Sequence, residues 1–181
     1  SLGKADTAAQ PAGRWEQLAT VNLAGEANAV FTQLNEANFR SYQFVLTGVK
    51  PSVTSALVMQ LSTDGGATWI TAGASYVDQY FILSNGAETI GYGHSSTMAI
   101  RGGGGAAVAF GVHGTIDLMS VGDATTRTVA LRQIWSNDGT NAIFETGQST
   151  RVGNEAQTAV RIFFATGNLA SGNITLLGLR R

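Results

Sequence analysis

Short runs of alternating apolar and polar residues follow one another along most of this chain. In the run SYQFVLTGV, Tyr42, Phe44 and Leu46 fall on one face, whereas Gln43 and Thr47 fall on the other. A period of two residues is that of a β-strand with one buried face. The pattern therefore predicts strands, each ended by a turn.

Residues 15–181 contain about ten to twelve such runs, with turn residues every 8–12 positions or so, a spacing typical of β-sandwiches. We predict an all-β chain folded as an antiparallel β-sandwich or jelly roll. The segment EANAVFTQLNEANF has some helical character, but we predict strand and loop there. The predicted strands include WEQLATVNL, NAVFTQL, SYQFVLTGV, ALVMQL, TWITA, SYVDQYFIL, ETIGYG, AVAFGVHGTIDLM, TVALRQIW, AIFET, TAVRIFFAT and GNITLLGL.

Particular turns are also predicted. Asn85-Gly86 lies between two strand-like runs and predicts a tight hairpin. A second hairpin is predicted around 137–139, and Gly167-Asn168 joins the final two runs. In AVAFGVHGTIDLM, the longest run, Val108, Phe110 and Val112 share one face of a single predicted half-buried strand.

Residues 1–14 are polar, alanine-rich and without periodicity, which predicts an extended N-terminal arm. We expect this arm to lie along a neighbouring chain, with Lys4 and Arg14 meeting carboxylates or carbonyls there. Ser1 in place of Met is expected of a processed or trimmed start. The segment SLGKADTAAQ lacks the apolar core of a signal peptide.

The stretch STDGGATW resembles the Asp box of sialidase propellers. Its pattern residues are Ser62, Asp64, Gly66, Thr68 and Trp69. A propeller repeats its blades, and the chain has one clear box, so the repeat count argues against a propeller. We predict a structural hairpin turn in which Asp64 accepts backbone N–H groups and both glycines take positive φ. The alternative, Asp64 as a catalytic acid, requires partners that the sequence does not indicate.

Charged residues make up only 13% of the chain, the formal net charge is −1, and cysteine is absent. This balance gives no attraction to nucleic acid or anionic lipid, and no apolar run is long enough to cross a bilayer. A surface poor in charge is compatible with obligate contacts between chains. Disulfides and thiolate metal sites are excluded.

The order of several motifs resembles phage and prophage virion proteins of the tail-fibre, spike or head-decoration type. The motifs are YQFVLTGVKP, STDGGATW, GVHGTIDL and the ending AVRIFFATGNLASGNITLLGL. This resemblance implies a virion-located structural subunit that forms a homo-oligomer, with a trimer favoured, and that contacts other capsid or tail proteins. The ending LLGL departs from the family pattern, which more often has an aromatic residue before the glycine.

Catalytic and metal-binding patterns are not found, and we predict neither an enzyme nor a cofactor. His113 and Asp117 share a strand face, which we interpret as a solvated or inter-subunit polar surface. His94 is expected in a loop, and no nucleophile elbow accompanies it. RGGGG, at 101–105, lacks the Lys-Ser/Thr of a phosphate loop and is expected to be a flexible connection.

Carbohydrate binding is the alternative function. Exposed aromatic rings on a sandwich face can stack on sugars beside Asn, Asp or Gln, and in a virion such a module would recognise host surface glycans. The candidates near predicted turns are Tyr76, Tyr80, Tyr92 and Trp135. Exposure decides between packing and binding, because aromatic residues also dominate protein cores.

Overall fold

A computed structural model of the chain describes residues 13–106, 110–122, 125–137 and 140–181. These residues form strands and turns without any helix, which confirms the predicted all-β class. The strands are β1 (Trp15–Leu23), β2 (Ala29–Phe31), β3 (Phe39–Pro51), β4 (Ser55–Ser62), β5 (Tyr76–Ser84), β6 (Ala87–Ser95), β7 (Met98–Ala106), β8 (Val112–Met119), β9 (Val129–Asn137), β10 (Ala142–Arg151), β11 (Ala159–Phe164) and β12 (Leu169–Arg180).

Two antiparallel sheets of unequal width make up the sandwich. The large sheet has the order β1-β12-β3-β8-β9-β10-β5-β6, and the small sheet has the order β2-β11-β4-β7. The predicted β-sandwich is therefore present, with eight strands facing four. The small sheet packs against part of the large one, and β7 contacts β9, β5 and β10.

The core lies between the sheets and consists of the alternating apolar residues that the pattern predicted. Tyr42, Phe44 and Leu46 are all buried. Phe44 of the large sheet meets Phe31 of the small sheet edge-to-face, with ring centroids 5.2 Å apart. Such pairs stabilise beyond the area they bury.

The first strand departs from simple alternation. The pairing of β1 with β12 shifts between Gln17 and Ala19, which is a β-bulge. Trp15 and Gln17 are exposed, whereas Leu18 and Ala19 pack against the core. The alternation that the run WEQLATVNL suggests from Trp15 through Gln17 to Ala19 is therefore broken, because the extra residue of a bulge reverses it.

Two of the predicted hairpins are present. β5 and β6 pair without a break around Asn85 and Gly86, whose φ angles of 48° and 77° define a primed turn. β9 and β10 also pair directly, although 138–139 of their connection lie outside the described residues. The runs around Gly167-Asn168 belong to different sheets, so that turn is a crossover between sheets.

The long strand predicted from AVAFGVHGTIDLM is shorter in the structure. β8 begins at Val112, and Phe110 lies in a turn with half of its surface exposed. Positions 107–109, including Val108, lie outside the described residues. The expectation for RGGGG is also wrong, because these residues form part of β7 rather than a flexible connection.

Fully buried charged side chains cross the interface between the sheets. Arg101 of β7 lies 3.6 Å from Glu145 of β10, and Arg132 of β9 donates to the same carboxylate at 3.1 Å. Arg132 also donates to the Ser149 hydroxyl at 2.9 Å, and Ser149 donates to Asp78. The network therefore links β7 with three strands of the large sheet.

Two opposing effects act on Asp78. Burial raises the pKa of its carboxyl group, while hydrogen bonds from Ser149 and from the backbone of Ala99, together with the Arg132 charge, oppose the increase. The Ala99 N–H group donates to Asp78 at 3.1 Å, which attaches β5 to β7.

Replacing the shared carboxylate tests this network. We expect Glu145→Gln to lower the free energy of unfolding by roughly 3–5 kcal/mol, because two buried guanidinium groups lose their common anion. The matched control is Glu155→Gln. The Glu155 side chain is 57% exposed and forms an ion pair with Arg151, so its replacement should lower the free energy of unfolding by less than about 1 kcal/mol. Urea denaturation followed by circular dichroism measures both. Equal losses for the two variants would contradict a stabilising role for the buried network.

Candidate functional site

The Asp-box stretch forms a compact loop at the end of β4. Asp64 accepts the Thr68 N–H group at 2.9 Å, the Thr68 hydroxyl at 2.6 Å and the Ser62 hydroxyl at 2.6 Å. The Ser62 hydroxyl oxygen also accepts the Gly66 N–H group at 2.9 Å. Gly65 and Gly66 have φ angles of 73° and 93°, which agrees with the predicted turn chemistry.

The predicted hairpin around this loop is wrong, although its turn chemistry is present. The TWITA segment forms no strand, and the pairing partners of β4 are β11 and β7. One backbone hydrogen bond, from Ile70 to the Leu61 carbonyl at 3.0 Å, connects the two sides. β7 pairs with β4 only as far as Met59, and the short edge left at Leu61 is filled by the Ile70 N–H group and the Tyr76 hydroxyl, which leaves no room for a longer hairpin ladder.

Aromatic side chains attach the loop to the sandwich. Trp69 packs over the Arg161 guanidinium group, 4.8 Å from the ring centroid, and also contacts Gly66. The Tyr76 hydroxyl accepts the Leu61 N–H group at 3.1 Å and donates to the Ile70 carbonyl at 3.2 Å. The loop is therefore stabilised by packing and turn hydrogen bonds.

Tyr76 does not qualify as a glycan contact. Its side chain is completely buried, and burial raises the pKa of its phenol. Tyr80 is half-buried and points toward the inner side of the large sheet, like the buried Asp78 and Ile82. A Cβ at Gly91 would overlap the Tyr80 ring, so this glycine allows the ring to cover the inner side of β6.

The other two aromatic candidates lie on the outer face of the large sheet, which faces away from the small sheet. Tyr92 is 64% exposed and Trp135 is 50% exposed. Trp135 contacts Phe144 on the adjacent strand, with ring centroids 5.2 Å apart. Tyr92 and Trp135 belong to β6 and β9, which are separated by β5 and β10.

A shallow trough of about 620 Å³ lies on this outer face. We call it the outer trough and define it by the outward-facing side chains of five adjacent strands. They are Gln79, Phe81, Ile90, Tyr92, Asp117, Leu131, Gln133, Thr146 and Gln148.

The strand register arranges part of the trough as one straight row. Gln148 lies between Gln79 and Leu131, and the row continues to Tyr92 on one side and Asp117 on the other. Gln148 donates to the Gln79 side-chain carbonyl at 2.8 Å. Two adjacent amides therefore lie between Tyr92 and Leu131 in this row.

The outer trough carries little charge. Asp117 is its one outward-facing charged residue among those described, and it accepts a hydrogen bond from Gln43 at 2.7 Å. Arg132 lies beneath the trough with its side chain turned to the buried network. The trough thus offers amide donors and acceptors without a cationic group for phosphate or sulfate.

The histidines take part in local polar contacts. The His113 Nδ1 atom accepts the Gly48 N–H group at 3.2 Å, whereas Asp117 contacts Gln43. His94 lies in β6, contrary to the predicted loop, and its Nε2 atom is 3.1 Å from the Tyr92 hydroxyl. Within the described ranges, no group of three or more His, Asp or Glu side chains could bind a metal ion.

No helix long and apolar enough to cross a membrane occurs in the part of the chain that the structure describes. No family model matches the chain, and no curated protein matches it. The resemblance to phage virion proteins accordingly stays a prediction based on the order of sequence motifs.

The glutamines of the outer trough were not predicted from the sequence. Gln79, Gln133 and Gln148 lie on three different strands. Alternation assigns each one to a strand face but does not show which residues of the adjacent strands lie beside it. The pairing register supplies that information, and only the structure contains it. A useful sequence signal would have been the recurrence of amides at outward-facing positions of successive strands.

The Asp-box loop should respond to acid in a defined way. Hydrogen bonds from the Ser62 hydroxyl, the Thr68 hydroxyl and the Thr68 N–H group lower the pKa of Asp64 from 3.8 to about 2. Because this pKa is lower in the folded chain than in the unfolded chain, the carboxylate stabilises the fold above about pH 4. That contribution is lost as the pH falls toward about 2.

We therefore expect Asp64→Asn to lower the melting temperature at neutral pH, with a difference from wild type that shrinks between about pH 4 and pH 2. Thermal melts of both proteins across this range provide the measurement. A difference independent of pH would show that the charge of Asp64 does not stabilise the loop.

Proposed function

We propose that this chain is a structural subunit of a phage particle, in a fibre, spike or decoration, that assembles with itself and with other virion proteins. The observation that supports self-assembly most directly is the open edge of the large sheet at β6. There Ile90 is 83% exposed on a strand whose only neighbour within the described sheets is β5. The virion assignment rests on the sequence resemblance.

The surface composition agrees with a subunit that is permanently in contact with other chains. Exposed apolar residues occur on both the large and the small sheet, and the chain has few charged residues. Interface cores are depleted of charge in the same way. The proposal includes no catalytic activity, and a trimer is the stoichiometry implied by the resemblance.

Mass spectrometry of purified particles tests the proposal. The phage, or the induced prophage, that encodes the chain should be purified by density gradient, and peptides of this chain should co-purify with the capsid and tail proteins at a fixed ratio. Immunogold labelling of the same particles should give a repeated position. Peptides abundant in the lysate but absent from the particles would overturn the proposal.

The second candidate is binding of a neutral host glycan in the outer trough. The observation that favours it is the row of amides and apolar side chains beside the exposed Tyr92 ring. Amide groups recognise hydroxyls by paired donation and acceptance, and aromatic faces provide apolar contact for sugar rings. The lack of outward-facing Lys and Arg among the described trough residues favours an uncharged sugar.

A glycan array with the intact chain tests this second function. We expect Gln148→Ala and Gln133→Ala to weaken binding to any array hit about fivefold each, as the loss of one net hydrogen bond of ~1 kcal/mol implies. Gln17→Ala is the matched control, because Gln17 is an exposed glutamine on β1 at the opposite edge of the large sheet. No hit with wild type, or equal weakening by all three variants, would contradict glycan binding in the trough.

A further inference from the structure

The outer edge of β6 presents an ordered row of backbone hydrogen-bonding groups. In a two-residue primed turn, the Ser84 carbonyl and the Ala87 N–H group face each other. Because hydrogen-bonding direction alternates along a strand, Ala87, Thr89, Gly91, Gly93 and Ser95 point their backbone groups toward β5. The four residues between them point their N–H and C=O groups away from the sheet; these are Glu88, Ile90, Tyr92 and His94.

This edge lacks most of the features that usually prevent edge-to-edge pairing, and Glu88 is its one carboxylate. β6 pairs with β5 over nine consecutive residues without a register shift, and its sequence contains neither Lys nor Pro. The opposite edge strand, β1, has a bulge and an ion pair between Glu16 and Arg180 at 2.6 Å. A long, regular edge with exposed apolar side chains is a template for another strand.

We propose that β6 pairs antiparallel with β6 of a second copy of this chain, around a two-fold axis at Gly91. The inference rests on the proposed self-assembly and specifies the surface and register. Gly91 is the middle residue of Ala87–Ser95, so this register pairs all nine residues. The two large sheets then continue as one sheet across the axis.

The side chains of β6 are complementary to themselves in this register. On the outer face, Ile90 lies opposite Tyr92 of the second copy, which pairs an aliphatic with an aromatic side chain. Glu88 lies opposite His94 of the second copy, where an imidazole N–H group can donate to the carboxylate. His94 uses Nε2 for its contact with Tyr92, which leaves Nδ1 for Glu88.

The inner face also accommodates the contact. Thr89 lies opposite Gly93 of the second copy, and Gly91 lies opposite Gly91. A Cβ at Gly93 would meet no atom within 4 Å, so the approaching strand finds open space there. Moving the axis to Ile90 would place Glu88 opposite Tyr92 and would leave part of each strand unpaired, which disfavours that register.

Paired cysteines test the register in the full chain, which has no cysteine of its own. In the double variant Thr89→Cys/Gly93→Cys, the cysteine at position 89 of one copy lies opposite the cysteine at position 93 of the other. Neither residue directs its N–H or C=O group to the outer edge, so the two form a non-hydrogen-bonded pair with Cα atoms about 4.5 Å apart. Within one chain the two positions are about 13 Å apart along the strand, too far for a disulfide. Oxidation should therefore give a covalent dimer on a non-reducing gel.

The single variants are matched controls. In the proposed register, each cysteine lies about 13 Å or more from the same position in the second copy, so Thr89→Cys alone and Gly93→Cys alone should remain uncrosslinked. Circular dichroism checks that all variants are folded. A double variant that stays monomeric on oxidation, or single variants that crosslink as well as the double, would overturn the proposal.

Ile90→Pro provides a second test without cysteine. The Ile90 N–H group points to the open edge, so proline removes a donor for the second copy while leaving the β5 ladder intact. Sedimentation should show wild-type dimers and a folded monomeric variant. An unchanged dimer fraction would contradict β6 pairing.

The outcomes are separable from those of the proposed function. If the particles contain the chain but the double variant does not crosslink, the β6 contact is wrong and the virion role stands. If the double variant crosslinks in the specified register but the particles lack the chain, the β6 contact stands and the virion role is wrong. A two-fold contact gives dimers by itself, and in a trimeric component it would join subunits of different trimers.

Discussion

The buried ionic network between the sheets is the constraint on which the rest of the arrangement depends. Arg101 comes from the small sheet, whereas Glu145 and Arg132 come from the large sheet, and all three are excluded from water. An unpaired buried charge costs several kcal/mol, whereas apolar surfaces tolerate shifted packing far better. The network therefore restricts β7 to one position over β9 and β10.

The position of β7 decides which part of the large sheet is covered. The small sheet ends at β7, which contacts β9, β10 and β5, and β6 lies beyond these strands at the end of the large sheet. Tyr80 partly replaces the missing cover by lying against Gly91 on the inner side. The unequal width of the sheets thus produces both the open strand edge and a broad outer face beside it.

Much of the fold follows from the alternating pattern, because burial of one strand face is a local requirement. The strands around Phe44, the Asn85-Gly86 hairpin and the hydrogen bonds of Asp64 were all predicted. RGGGG was expected to be a flexible connection, yet Arg101 is anchored within β7 by distant partners that composition does not reveal.

The candidate site was predictable only in part. Tyr92 and Trp135 were identified as aromatic residues near turns, and both are exposed. Tyr76 was identified by the same reasoning, but its hydroxyl bonds to the backbone of Leu61 and Ile70 inside the core. Turn proximity does not determine which face of a strand is covered, because coverage depends on where the second sheet ends.

The position of β12 has a consequence for how the chain reaches this structure. β12 pairs with β1 on one side and with β3 on the other, and Thr20 contacts Thr175 across 155 positions of sequence. Neither β1 nor β3 has its full set of hydrogen bonds until this distant segment inserts between them. Contacts of such long range slow folding, and they prolong the time during which unfinished edges are accessible. The pairing of β12 therefore joins distant parts of the sequence, whereas the β5–β6 hairpin forms from neighbouring residues.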